Sequence, residues 1–153
     1  MANTKQFCTF YLDGHFFGVP VEQVQEVIRY LDMTGVPLVS DVVRGLINLR
    51  GQIVTAIDLR RRLGIADRAA DQLPMNVVIR TDDGPVSLLV DEIGDVLEVE
   101  KDTFETPPET LLGPKRSMVR GVYKLRGKLL LELDITRAIA TADLEKEGSL
   151  APV

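Results

Sequence analysis

The chain has 153 residues, 45% of them hydrophobic and 27% charged, the profile of a soluble globular protein rather than a disordered one. One cysteine (Cys8) and one histidine (His15) exclude a disulfide framework, a cysteine-based zinc site and any site built on several histidines. A net charge of −5, with no apolar run near the ~20 residues of a membrane span, argues against bulk attraction to nucleic acid and against membrane insertion.

The N-terminal residues lack the apolar core of a secretory signal, so the expected compartment is the cytoplasm. FYLDGHFFGV (10–19) reads as strand, Asp-Gly turn, strand, because glycine accepts the positive φ of a tight hairpin. Val21, Val24, Gln25 and Ile28 follow Pro20 at helical spacing and predict a short helical stretch, running into a strand at 26–30. Residues 31–43 are a proline-containing connector. Then come strand, Arg-Gly turn and strand, with Asp58 capping about one helical turn over 59–63 that Gly64 stops. Arg60, Arg61, Arg62 and Arg68 form a short basic patch without stacking aromatics, read as a solvated turn behind that cap.

The second half repeats the first. IRTDDGPVSLLV (79–90) is again a hairpin, and a connector at 101–118 carries Pro107, Pro108 and Pro114. At an offset of 76, residues 44–64 and 120–140 are identical at seven of 21 positions, including Arg44/Arg120, Gly45/Gly121, Arg50/Arg126, Gly51/Gly127 and Asp58/Asp134. A helix is expected from Asp134 to about 146, with Ile135, Ala138 and Ile139 on one face, before a loose tail. Many short strands in duplicate predict an all-β fold of two small barrels. The first copy spans about 7–70 and the second about 75–146. Each copy is too small for a full core of its own, so the two should share apolar contacts and could exchange strands.

Catalytic constellations are missing. His15 follows a turn, Cys8 alternates within a strand, and no phosphate-binding glycine loop occurs. Asp91, Glu92 and Asp95 lack the spacing of a calcium loop. The acidic run 91–105 reads either as a solvated face or as an electrostatic complement to a basic partner. What remains is binding, and the seam between two apolar barrels is a groove where amphipathic helices can dock. An RNA- or ligand-binding barrel would need a basic aromatic face, which the acidic second half does not offer; a hydrolase would need a catalytic set.

Three separated motifs carry a resemblance. They are Val21-Glu22-Gln23-Val24-Gln25-Glu26-Val27, the NLRG block from Asn48 to Arg60, and VDEIGDVL from Val90 to Leu97. In that order they resemble the CheW family of bacterial chemotaxis coupling proteins over nearly the whole chain. The resemblance implies a single domain over 1–153 of two intertwined five-stranded SH3-like barrels, with short helices. It implies a non-catalytic adaptor without cofactor or metal. Such an adaptor bridges the cytoplasmic tip of methyl-accepting chemoreceptors and the regulatory domain of the CheA histidine kinase, at membrane-associated arrays. Glu26 and Arg50 match positions that the family pairs on the receptor-facing side, with Val24, Val27 and Asn48 beside them. From the residues alone, Arg50 reads as a turn arginine and Glu26 as a helix-surface acid. Met33, Arg44 and Gly45 match kinase-binding positions. Gly51, Asp91, Val96 and Leu97 match further motif positions, and Asp91 reads equally as a brace for its own turn. The sequence shows no receiver pattern, which argues against a CheV-type coupler, and no kinase module, which argues against a CheA fragment, although an isolated regulatory domain of that kinase would look similar.

Overall fold

A computed structural model describes residues 3–37, 39–107 and 117–140. Hairpin β1 (Thr4–Leu12) and β2 (His15–Pro20) turns through Asp13 and Gly14, both at positive φ (52° and 79°). The stretch read as helical is a 3-10 turn at Val21–Gln23, and β3 (Val24–Ile28) begins at once. Helical spacing misled here because its β-branched residues satisfy β3's pairing with the later strand Met75–Ile79 equally well. Strands β4 (Val43–Leu49) and β5 (Gln52–Asp58) form the next hairpin, and α1 (Leu59–Arg62) follows under its Asp58 cap.

The second half repeats this order. Strands β6 (Met75–Ile79) and β7 (Val86–Val90) form its hairpin, and β8 (Glu92–Glu100) corresponds to β3. A 3-10 turn at Lys101–Thr103 and the two-residue β9 (Phe104–Glu105) precede hairpin β10 (Val119–Leu125) and β11 (Lys128–Leu133). The last element among the described residues, α2 (Ile135–Ala138), is one turn closed at Ile139. The helix expected up to 146 is therefore only this turn as far as residue 140; its remainder, like Pro108 and Pro114, lies outside the described residues.

Pairing crosses between the halves. One sheet runs β8-β1-β2-β11-β10-β9 and the other β3-β6-β7-β5-β4. Each takes one hairpin from the opposite half, held through a parallel contact, β2 with β11 or β5 with β7. The five expected strands are present in each sheet, and β9 adds a sixth to the first. Its counterpart in the second is a single bridge, Thr34 to Leu46.

Both sheets curl, since their outer strands share a core. In the second sheet Ile28 packs with Ile47, Leu49, Val54, Val78 and Leu89. In the first, Phe7, Phe16, Val99, Tyr123 and Leu130 cluster, with Leu97 and Leu125 against them. Alternate residues of the same strands face the other way, into a larger core between the sheets that includes Phe10, Phe17, Val19, Ile57, Val77, Leu88, Val122 and Leu133. The chain is all-β with short helices.

Candidate functional site

The NLRG block forms the β4–β5 turn. Arg50 sits at φ 51° and Gly51 at φ 88°, the pair of left-handed conformations that a two-residue hairpin loop requires. Glycine adopts this freely; Arg50 does so at a steric cost. Asn48 offsets part of it, because its Oδ1 accepts the Gly51 N–H at 2.8 Å. The strained turn aims Arg50 across the barrel opening, where its Nη2 donates to Glu26 Oε2 on β3.

This ion pair joins the two outer strands of the second sheet. The hydrogen bond from Arg50 holds the Glu26 carboxyl below its ordinary value against partial desolvation, and Glu26 in turn raises Arg50. Because the pair is solvent-exposed, a Glu26→Gln chain is expected to keep a chemical-denaturation midpoint close to that of wild type. Two exposed apolar side chains lie close by in the chain, on the other face of the sheet: Val27, next to Glu26 on β3, is 37% exposed, and Ile53, paired with Asn48 across the β4–β5 hairpin, is 61% exposed. Val24 differs, being half-buried against the core between the sheets. Ile53 was not singled out from the sequence, although alternation in QIVTAI places Ile53 opposite to buried Val54 and Ala56.

Met33, Arg44 and Gly45 come together at the β4 edge. Met33 packs against the second sheet's core. Thr34 and Leu46 exchange two backbone hydrogen bonds, at 2.9 and 2.8 Å. A Cβ on Gly45 would lie 2.6 Å from the Thr34 carbonyl oxygen and 3.2 Å from Met33 Cβ, so only glycine lets the connector cross here. A Gly45→Ala chain should lose about 1–3 kcal/mol as the connector is pushed away, read by urea unfolding. Arg44 reaches Asp58 at 3.6 Å.

Asp58 and Asp91 anchor a buried ionic cluster, and here the reading of a solvated arginine patch is overturned. Asp91 accepts from Arg60 Nε and Nη2 at 2.9 and 2.6 Å, from Arg68 Nε at 3.2 Å and from the Asp13 amide at 2.8 Å. The Arg68 side chain is only 4% exposed and also reaches Asp58 at 3.4 Å. Arg62 donates to the Arg137 and Ala138 carbonyls at the end of α2. Isolated arginines do not bury; these do because each meets a carboxylate or carbonyl contributed by a distant segment. Sequence spacing gave no hint, since Arg60 and Asp91 lie in different halves.

Asp91 therefore braces more than its own turn, tying α1 to the β1–β2 turn and to the start of β8. Burial works to raise its carboxyl, yet the hydrogen bonds from Arg60 and the Asp13 amide, with the Arg60 and Arg68 charges, hold it below its ordinary value. Along β8, Val96 is 58% exposed and Leu97 turns into the first sheet's core. Glu92, Asp95, Glu98, Glu100, Asp102 and Glu105 stay at the surface, so the acidic run becomes an exposed stripe from which only Asp91 is withdrawn. The structural match of β8 to β3 exposes a further repeat: VDEIGDVL (90–97) answers VEQVQEVI (21–28) at an offset of 69, so Val96 corresponds to Val27 and Asp95 to Glu26.

Among the described residues, no group of three or more His, Cys, Asp or Glu side chains could hold a metal ion, and no helix is long and apolar enough to cross a membrane. The candidate site comprises three faces: the Glu26–Arg50 corner, the β4 edge with Met33 and Gly45, and the exposed side of β8 with Val96.

Comparison with known proteins agrees. The CheW-like domain model matches residues 6–143. The chain is 32% identical to the chemotaxis protein CheW of Thermotoga maritima, covering 92% of this chain and 90% of that protein. It is 30% identical to the chemotaxis protein CheW of Bacillus subtilis, covering 97% and 92%. Its fold superposes on the crystal structure of the scaffolding protein TtCheW from Thermoanaerobacter tengcongensis with a TM-score of 0.81 at 25% identity, covering 93% of this chain and 97% of that one. With exchanged hairpins, an Arg50–Glu26 pair across the barrel opening and a family match over nearly its full length, this chain belongs to the CheW-like family.

Proposed function

We propose that the chain is an adaptor that couples methyl-accepting chemoreceptors to the CheA histidine kinase in chemotaxis signalling. Membership of a family of scaffolding proteins means that it is not an enzyme. The observation that carries the receptor reading is the Glu26–Arg50 pair beside exposed Val27 and Ile53. A receptor-tip helix would lay apolar side chains on Val27 and Ile53 and meet the paired charges at its rim. Asn48 and Gly51 keep the turn in shape, and Val24 seats β3 from beneath.

The kinase regulatory domain would use the β4 edge, where Met33, Gly45 and Arg44 lie together. Val96 offers an apolar contact on the other barrel, with Leu97 and Asp91 holding β8 in place. In this reading the whole chain acts as one unit in the cytoplasm, recruited to receptor arrays by its partners, without nucleic acid, membrane insertion or cofactor.

Titration of the full chain with a receptor-tip fragment, with the CheA regulatory domain, and with both together tests this. Binding of each alone and a ternary complex with both is the expected result. Failure to bind either partner overturns the proposal.

A further inference from the structure

Four of the nine strand pairings among the described residues join the half that ends with α1 to the half that follows: β1 with β8, β2 with β11, β3 with β6 and β5 with β7. All three apolar clusters draw residues from both halves. Neither half therefore completes a barrel without the other, and the covalent link between them is the segment from Leu63 to Pro74.

That link has two parts. Residues 65–68 are tied down: the Ile65 N–H donates to the Arg60 carbonyl at 2.7 Å, Arg60 Nη1 to the Ala66 carbonyl at 2.8 Å, Arg61 Nε to Asp67 at 3.0 Å, and Arg68 reaches Asp58. These partners are in the first half or in the link itself; Arg68 in addition donates to Asp91 of the second half at 3.2 Å, a contact between halves like that of Arg60. Residues 69–73 are all exposed. Among the described residues, the one backbone hydrogen bond they make is from the Gln72 N–H to the Ala69 carbonyl, at 2.9 Å, which closes a reversal.

We propose that this reversal is the hinge of a domain exchange, through which a second copy of the chain supplies its second half to the first half's sheets. Every contact between halves, the Arg60–Asp91 pair included, re-forms in such a dimer. Only the Ala69–Gln72 turn is given up. The monomer is favoured because the short link holds the halves at an effective concentration of millimolar order. Straightening or shortening the link removes that advantage, the condition under which swapped dimers form. The inference does not depend on which partners the adaptor binds.

The test is refolding from denaturant over a concentration series, with mass read by light scattering on a sizing column. Wild type should refold as monomer at low micromolar concentration. Near about 1 mM a dimer should appear and then persist on dilution, because undoing it requires unfolding both copies. A chain lacking residues 69–72 should raise the dimer-to-monomer ratio at least about tenfold at equal concentration, and a long Gly/Ser insertion at the same point should lower it. Arg60→Ala weakens a contact common to both forms and should leave the ratio unchanged. Wild type that stays monomeric at every concentration, a dimer that falls apart at once on dilution, or a shortened chain that refolds as monomer overturns the proposal. If the shortened chain does not fold, the wild-type series decides alone.

Discussion

Asp91→Asn is expected to destabilise the chain by about 3–5 kcal/mol, since it strips the charge from the one carboxylate that both Arg60 and Arg68 reach inside the protein. Arg68, 4% exposed, would keep Asp58 at 3.4 Å, whereas Arg60, 10% exposed, would keep the half-exposed Asp13 at 3.9 Å. Leaving a guanidinium out of water without a close buried carboxylate is the costly arrangement, more so than the loss of any single hydrogen bond. Urea unfolding would register the loss as a lower midpoint at unchanged slope. A midpoint within experimental error of wild type would show that the cluster is not buried as described.

Acid should produce a related effect. The Asp91 carboxyl is held below its ordinary value of 3.8 in the folded chain, so as pH falls the unfolded chain takes up its proton first. The stabilisation from this group is complete above that value and is lost as pH drops below it. Asp91→Asn should remove this part of the acid limb of stability while leaving the part from other carboxylates. An acid limb identical in the two chains would assign the pH dependence elsewhere.

Arg50→Glu carries the largest expected effect on binding. Within the fold it sets like charges at the β4–β5 turn and β3, in a pair open to solvent, so the urea midpoint should shift little. At the proposed receptor face it reverses the charge beside Val27 and Ile53. Affinity for a receptor-tip fragment should fall by at least about tenfold in calorimetric titration, the scale of a truncated or reversed interface charge. The charge-exchanged double chain, Glu26→Arg with Arg50→Glu, rebuilds the internal pair. Recovered affinity in that chain would mean the pair works by holding β3 to the turn; continued loss would mean that Arg50 itself meets the receptor. An Arg50→Glu chain that binds normally removes this face from the receptor reading.

How much of this was legible beforehand follows from how local each interaction is. The hairpins at Asp13-Gly14 and Arg50-Gly51 were readable because positive φ is a property of adjacent residues. Both helix caps were readable for the same reason: Asp58 accepts from the Arg60 N–H and Asp134 from the Arg137 N–H, two and three residues on. The segment 21–28 was misjudged because apolar residues at that spacing suit a helix in isolation, and only β6, some fifty residues later in the chain, makes a strand of it. The arginine turn was misjudged more seriously. Three consecutive arginines look solvated until Asp91 and the end of α2 arrive from the other half.

The residue pattern by itself determined the duplication, the all-β class, the turns and the family motifs, all of which depend on identity and short spacing. Which half completes which barrel was decided only in three dimensions, as were the burial of Asp91 between Arg60 and Arg68 and the exposure of Ile53 beside the Glu26–Arg50 pair. Two halves of similar pattern offer the same apolar alternation to themselves and to each other, so the pattern is equally satisfied by separate or exchanged barrels. What breaks the tie is packing: the core between the sheets and the buried ionic cluster exist only when the hairpins trade places.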